Sequence, residues 1–367
     1  MYLKTKRLYL KEFEENQGYL FEELDSNDNV VKFTGKTKMT TAQGNQFISK
    51  LKAEMYQEGL GFYACYQVSD DAFIGWFHLR KEMGLDTDVL EIGYRLKEEY
   101  WSLGYATEMS NALLDYGFDI ADIISAITLN ENIASQNVML KLNMTYDKNL
   151  DYHGFDVMRF TVNRGDHLYK KMKVTDDALN YCKQIEPNFE NLTTNQIAKK
   201  YLENPLIALI ESIIMQQVSI KSGQTVWRKF CKTVWPITAH NILEISDEKI
   251  QRCGLSFRKV TYIKNVATYY KENTTTFNKI DELSDEQIVK FLTAIKGIGP
   301  WTANIFLMFT LRRENHSTYL DLILRRMASL NLGLDDISES EYDTYLQKFS
   351  PNKTTASLCL WAQSKTN

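Results

Sequence analysis

Leu292-Thr293-Ala294-Ile295-Lys296-Gly297-Ile298-Gly299-Pro300-Trp301-Thr302-Ala303-Asn304 is the stretch on which the second half of this chain turns. Apolar residues at helical spacing run into a Gly-x-Gly turn, and a proline then opens a new helical run. Two glycines let such a turn press its backbone N–H groups against a phosphate at the start of the next helix. Contacts of that kind anchor nucleic acid without reading its sequence. The same residues also suit a helix C-cap followed by an N-terminal proline, so the turn alone leaves two readings open.

Outward from it, strand signals nearly vanish from about residue 174. Ile207, Leu209 and Ile210 with Ile213, Ile214 and Met215, then Val226, Phe230 and Val234, follow a 3.6-residue period. Val260, Ile263, Val266 and Ala267 repeat it, as do Ile288, Phe291, Leu292 and Ile295. The expectation is an all-α region of six or more helices. Asp321 follows the turn in Tyr319-Leu320-Asp321-Leu322-Ile323-Leu324-Arg325-Arg326, and Gln216-Gln217-Val218-Ser219 precedes it. With Gly254-Leu255-Ser256-Phe257-Arg258-Lys259 and Pro351-Asn352-Lys353 leading to Trp361, this layout resembles the helix-hairpin-helix glycosylases. Within them it is most similar to the 3-methyladenine DNA glycosylase II family, from about residue 178 onward.

That resemblance implies excision of damaged bases from double-stranded DNA. Asp321 would stabilise the positive charge that builds on the sugar and orient water; its other reading is an N-cap for the helix from Leu322. Trp301 and Trp361 would form an electron-rich pocket for an alkylated, cationic base. Trp227 and Trp235 are read as core. Gly297, Gly299 and Thr302 would bind DNA at the hairpin, Lys259 would meet phosphate, and Gln217 would fill the gap left by a flipped nucleotide or act as a buried amide cap. Members that also nick DNA carry a lysine nucleophile where Trp301 stands, and often a four-cysteine cluster, where this chain has only Cys359. A monofunctional glycosylase follows, with no cofactor beyond a monovalent cation that the hairpin could hold.

The first half reads differently. Residues 62–68 and 73–80 are aromatic and β-branched runs joined by Ser69-Asp70-Asp71, a hairpin pattern. Leu90-Glu91-Ile92-Gly93-Tyr94-Arg95-Leu96 alternates as a strand, and after Trp101-Ser102-Leu103-Gly104-Tyr105-Ala106-Thr107-Glu108 come Met109, Leu113, Leu114 and Phe118 at helical spacing. With a helical flank at 41–58, this is a mixed α/β domain. A strand–Gly turn–helix passage offers free N–H groups and a partial positive charge to a phosphate.

Leu90 through Glu108 resembles motif A of the GCN5-related N-acetyltransferases, and is most similar to the subgroup that acetylates ribosomal-protein N-termini. Asn132-Ile133-Ala134-Ser135-Gln136-Asn137-Val138-Met139-Leu140-Lys141-Leu142 matches a second segment of that subgroup. The resemblance implies acetyl-CoA binding: Ser102, Leu103, Gly104, Tyr105, Ala106 and Thr107 at the pyrophosphate, Leu96 at the pantetheine, Asn132 and Asn137 as polar contacts. Ser102 and Asn143 stand where the family usually has glycine. Glu91 is the candidate base, its other reading being a solvent-facing edge carboxylate, and Tyr146 the candidate acid. The acceptor would be an amine or protein N-terminus.

Composition separates the halves. Residues 1–165 carry a formal charge of −8 and hold 12 of the 17 glycines, whereas residues 166–367 carry +4 and all five prolines. The expected domains are 1–165, an α/β acetyltransferase fold, and 174–367, an all-α helix-hairpin-helix fold. They join at Asn163-Arg164-Gly165-Asp166, ahead of the basic run Lys170-Lys171-Met172-Lys173. Five scattered cysteines, Cys65, Cys182, Cys231, Cys253 and Cys359, point to reduced core thiols with no metal site. The first residues lack a secretory pattern and no apolar run is long enough to span a bilayer, so the expectation is a cytoplasmic protein with no membrane partner. Two functional readings stand: two active enzymes fused, or a DNA-binding module with a dormant glycosylase site that targets an acetyltransferase.

Overall fold

The computed structural model describes residues 1–33, 38–82, 89–172 and 174–365; Lys173 of the basic run lies outside them. Two compact units divide the chain, Met1–His167 and Leu168–Asn367.

The first unit contains β1 (Leu3–Lys4), β2 (Leu8–Glu12), α1 (Tyr19–Asp25), α2 (Thr41–Glu54), β3 (Gly61–Gln67), β4 (Phe73–Lys81) and β5 (Leu90–Leu96). It continues with α3 (Tyr105–Gly117), β6 (Ile123–Leu129), α4 (Ile133–Lys141), β7 (Thr145–Tyr152) and β8 (Phe155–Asn163). The eight strands form one sheet in the order β1-β2-β3-β4-β5-β6-β8-β7. The β3–β4 turn closes where Asp70 accepts a hydrogen bond from Ala72 N at 3.1 Å, the local device its Ser-Asp-Asp sequence suggests. Helix α2 starts at a capping box between Thr40 and Gln43. Helix α3 buries Met109, Leu113 and Leu114 completely, a contribution of about 1.5–3 kcal/mol for each large apolar side chain.

One pairing shapes the site. All neighbouring strands are antiparallel except β5 and β6, which are parallel and pair at Leu90↔Ile124 and Glu91↔Ser125. Beyond those two pairs the strands separate, which leaves an opening inside the sheet.

The second unit is helical: α5 (Asp176–Ile185), α6 (Pro205–Met215), α7 (Ile220–Thr233), α8 (Phe257–Glu272), α9 (Asp285–Thr293), α10 (Pro300–Phe309), α11 (Leu322–Asn331), α12 (Glu339–Gln347) and α13 (Lys353–Gln363), with shorter turns between. The helical architecture expected for 174–367 is what the unit has, with one small addition. A two-stranded antiparallel ribbon joins β9 (Tyr169–Lys171) to β10 (Lys200–Leu202), each strand too short to show a period-two pattern. Two apolar cores organise the helices. One gathers α6 to α9 with Ala303, Phe306 and Leu307 of α10; the other gathers α5 and α11 to α13 with Met308 of α10. Helix α10 therefore lies between the cores and packs into both. Trp227 is fully buried and Trp235 packs against the first core. All five cysteines are buried free thiols. Among the described residues no helix is long and apolar enough to cross a membrane, and no group of His, Cys, Asp and Glu has the geometry of a metal site.

Candidate active sites

Asp321 caps α11: its Oδ1 accepts from Ile323 N at 3.1 Å and from Leu324 N at 3.0 Å. Both proposed pocket tryptophans reach the same carboxylate. Trp361 Nε1 donates to Oδ1 at 3.1 Å and Trp301 Nε1 donates to Oδ2 at 3.1 Å. Three donors thus converge on Oδ1, while Oδ2 accepts from one indole in these contacts and keeps lone-pair capacity. The cap and the pocket are one constellation. Trp301 is 40% exposed and Trp361 9%, so Trp301 offers the open ring. The Phe309 ring stacks against Trp361 with centroids 5.6 Å apart, and the Lys199 ammonium lies over the Trp361 ring at 5.5 Å.

The hairpin carries its glycines for different reasons. Gly297 has φ +113°, and an added Cβ would fall 2.5 Å from Tyr262 Cγ, so only glycine fits. Gly299 is the extended N-cap of α10, and open space surrounds the place where its Cβ would be. Gln216 Nε2 donates to the Gly297 carbonyl at 3.3 Å and Asn265 Nδ2 to the Lys296 carbonyl at 3.2 Å. Carbonyls at the turn are held by side chains, and the first N–H groups of α10 lack intrahelical partners.

Three sequence expectations change here. Thr302 is buried, so its hydroxyl is not presented to DNA. Lys259 turns inward: Nζ donates to the Ile214 carbonyl at 2.8 Å and to the Gln216 carbonyl at 2.6 Å, and burial lowers its pKa. Its ammonium braces the end of α6 in place of meeting phosphate. Gln217, at the turn so braced, is exposed with φ +55°, which removes the buried-amide reading.

In the first unit, Gly104 caps α3 with φ +80°. Ser102 two residues before it has φ +62°, and Asn143 has φ +61°. Both positions where the chain departs from a family glycine are thus left-handed, which explains the glycine preference there. The turn is braced from below: Trp101 Nε1 donates to the Leu96 carbonyl at 2.9 Å, Arg7 donates to the Leu103 carbonyl at 2.9 Å and pairs with Glu108 at 2.6 Å. Leu103 and Gly104 are exposed, Ala106 and Thr107 half-buried, Tyr105 buried.

The opening between β5 and β6 is a cleft of about 500 Å³. Asn132 lines it and caps α4 by accepting from Ser135 N at 3.2 Å. Leu96 and Asn137 are outside its lining; Leu96 is buried and Asn137 exposed. Tyr146 is 51% exposed on β7, with its hydroxyl 3.1 Å from Asn149, so the structure does not bring the candidate acid to the cleft. Glu91 does line it. It is buried, not solvent-facing, and accepts from His78 Nε2 at 3.1 Å and Arg80 Nη2 at 2.7 Å. Burial opposes its ionisation, but these two partners outweigh that and hold the carboxyl below its ordinary value.

Sequence reasoning missed Trp76, His78 and Arg80, all in the cleft lining. They occupy alternate positions of β4, so one face of an otherwise apolar strand carries three polar-tipped side chains; that spacing was the available signal. Tyr94 and Tyr152 line the cleft as well, and Arg80 Nη2 donates to the Tyr152 hydroxyl at 2.9 Å.

Comparison with known proteins assigns a different family to each unit. Residues 7–145 match the family model described as the acetyltransferase (GNAT) domain, and residues 210–352 that of the HhH-GPD superfamily of base excision DNA repair proteins. An uncharacterized N-acetyltransferase, YnaD of Bacillus subtilis, is 32% identical over 146 residues, covering 39% of this chain and 82% of that protein. The putative DNA-3-methyladenine glycosylase YfjP of the same organism is 26% identical over 198 residues, covering 50% of this chain and 69% of that protein. DNA-3-methyladenine glycosylase 1 of Schizosaccharomyces pombe is 29% identical over 170 residues, covering 44% and 74%.

Proposed function

Because the chain belongs to the GNAT acetyltransferases through its first unit and to the HhH-GPD base excision DNA repair superfamily through its second, we propose that it fuses two active enzymes. Residues 174–367 form a monofunctional glycosylase that hydrolyses the N-glycosidic bond of alkylated bases, of the 3-methyladenine type, in duplex DNA. Residues 1–165 form an acetyl-CoA-dependent N-acetyltransferase.

The observation that carries the glycosylase reading is the carboxylate of Asp321, at the start of α11, held between the indole N–H groups of Trp301 on α10 and Trp361 on α13. The glycines and the free N–H groups of α10 anchor the DNA backbone, and exposed Gln217 fills the space of the extruded nucleotide. Trp301 receives the cationic base on its open face. As that base leaves, Asp321 Oδ2 faces the positive charge growing on the sugar and orients the attacking water. Trp301 has no amine, so it forms no Schiff base with the sugar.

In the first unit, acetyl-CoA supplies the activated acetyl thioester. The residues fit that group: the exposed turn at Ser102–Gly104 opens a 13-residue helix toward a phosphate, and the cleft between β5 and β6 has room for a narrow chain beside free strand backbone.

Duplex DNA treated with dimethyl sulfate tests the proposal. The full chain should release free methylated purines and leave abasic sites without strand breaks, and borohydride should trap no covalent adduct. A trapped adduct would overturn the monofunctional reading. No base release by the wild type would favour the dormant, DNA-targeting alternative.

A further inference from the structure

The two indoles that donate to Asp321 differ in what lies over their rings. Trp301 is 40% exposed, and among the described residues no cation lies over it. Trp361 is 9% exposed, stacks with Phe309 at 5.6 Å, and carries the Lys199 ammonium 5.5 Å from its ring centroid. A cation over an indole face occupies the electron density that would otherwise attract a cationic ligand. One indole beside the carboxylate is therefore open to positive charge, and the other already holds one.

Lys199 is kept there by its neighbours along the chain. It sits between Ile197, which ends the short helical turn Thr194–Ile197, and Tyr201 of β10, both of them buried. Its carbonyl accepts from Met172 N at 2.8 Å, one bond beyond the β9–β10 ribbon. The Tyr201 hydroxyl accepts from Arg312 Nη1 at 3.3 Å. Lys199 is half-buried, and among the described residues its ammonium has neither a hydrogen-bond acceptor nor an ion-pair partner. Burial lowers its pKa and Lys365 adds to this, while Asp321 favours the charged form. An ammonium drawn partly out of water without a partner carries a desolvation cost, so its place beside the reactive carboxylate calls for a function.

We infer that Lys199 is a specificity-determining residue of the glycosylase site, whose ammonium disfavours a cationic base and assists the departure of a neutral one. The inference rests on the glycosylase reading of the second unit. In either case the bond between the anomeric carbon and the base nitrogen breaks, and its electron pair leaves with the base. Water adds to that carbon and gives up a proton to Asp321. A cationic base departs neutral, so it gains nothing from a nearby cation and is repelled by it while bound. A neutral base departs as an anion, and a partly desolvated ammonium stabilises the charge as it develops; solvent protonates the free base afterwards. Lys199 thus offsets the preference for cations that the open ring of Trp301 creates.

Two duplexes of one sequence test this with the full chain. One is treated with dimethyl sulfate to carry cationic methylated purines, and the other holds a single hypoxanthine, a neutral base. Single-turnover release is measured for wild type, Lys199→Met, Lys199→Gln and Lys199→Arg. Both uncharged variants should raise the ratio of methylated-purine to hypoxanthine release by about tenfold, the equivalent of one partly desolvated cation–π contact. Lys199→Arg should keep the wild-type ratio, because the charge stays. A side chain that only supported the fold would lower both rates together. An unchanged or falling ratio in the uncharged variants overturns the inference, as does wild type that releases methylated purine but no hypoxanthine. A borohydride-trapped adduct that disappears in Lys199→Met would make the amine a nucleophile and overturn it too. Wild type that releases neither base defeats the glycosylase reading itself, and this inference with it.

Discussion

Replacing Asp321 with Asn separates the two jobs that the constellation assigns to one carboxylate. The carboxylate accepts from Ile323 N, Leu324 N and Trp361 Nε1 on Oδ1, and from Trp301 Nε1 on Oδ2. An asparagine that keeps its oxygen at the Oδ1 position retains three of these bonds and turns its NH₂ toward Trp301, donor against donor. The flipped amide would face three donors, so the first orientation wins. One partly exposed indole N–H loses its partner, at about 1–3 kcal/mol, which in a unit of this size lowers Tm by roughly 2–10 °C. Catalysis should suffer far more: removing a preorganised charge aimed at a cationic transition state costs about 10²–10³ in rate. Trp301→Phe is the control. It deletes the same hydrogen bond yet leaves the charge and a ring in place, so its thermal loss should match while base release stays well above that of Asp321→Asn. Single-turnover release of methylated purine, duplex affinity and thermal melts on all three proteins give the answer. Base release in Asp321→Asn equal to that in Trp301→Phe would refute the argument, because it would reduce Asp321 to a helix cap.

The hairpin glycines should part company: Gly299→Asp adds a charge into open space, so Tm stays constant while duplex affinity weakens for every sequence, whereas Gly297→Ala, at φ +113° and against Tyr262, should lower Tm measurably. Gly104→Glu places an anion at the exposed N-terminus of α3, where its Cβ would lie 3.5 Å from Arg7; calorimetry should show acetyl-CoA binding lost, and unchanged affinity would sink the turn as the pyrophosphate site. Lys259→Met removes the ammonium that two carbonyls share, so hydrogen exchange at Gln216–Ser219 should accelerate and stability fall by about 1–3 kcal/mol, with no change in the salt dependence of DNA binding. Stability of the first unit should also decline as pH falls through about 6.5, because an unfolded histidine takes its proton there and buried His78 does so only at lower pH; His78→Asn should flatten that slope.

What the sequence displayed were positions where the backbone itself makes the demand. Gly297 is legible because a left-handed φ and a close approach to Tyr262 admit no other residue, and Asp321 because a cap must directly precede its helix. Their relation to Trp361 was not legible in the same way. Forty residues separate that indole from Asp321, and the contact depends on α13 docking on α11 within the second core. Lys259 misled for the converse reason. A lysine near a DNA-binding turn has no local mark that tells a phosphate contact from an ammonium bound to two carbonyls 43 and 45 residues earlier.

Tyr146 shows how a single extra residue defeats strand reading. Tyr146 and Tyr152 lie six residues apart on β7, an even spacing that regular alternation places on one face. The ladder with β8 pairs Tyr146 with Phe160 and Lys148 with Arg159, so Asp147 is an extra residue between them. Such a bulge reverses the parity of everything that follows. Tyr146 stays on the Phe160 side, exposed, whereas Tyr152 joins Phe155 and Val157 in lining the cleft. The bulge also brings Asp147 to Arg159, which at 2.5 Å shares its guanidinium with Glu82 of the strand end opposite. The ion pair that rewards the bulge is tertiary, so a reading of β7 alone had no means to find it, and it is the same irregularity that delivers the Tyr152 hydroxyl to Arg80 and, through Arg80, to Glu91 and His78.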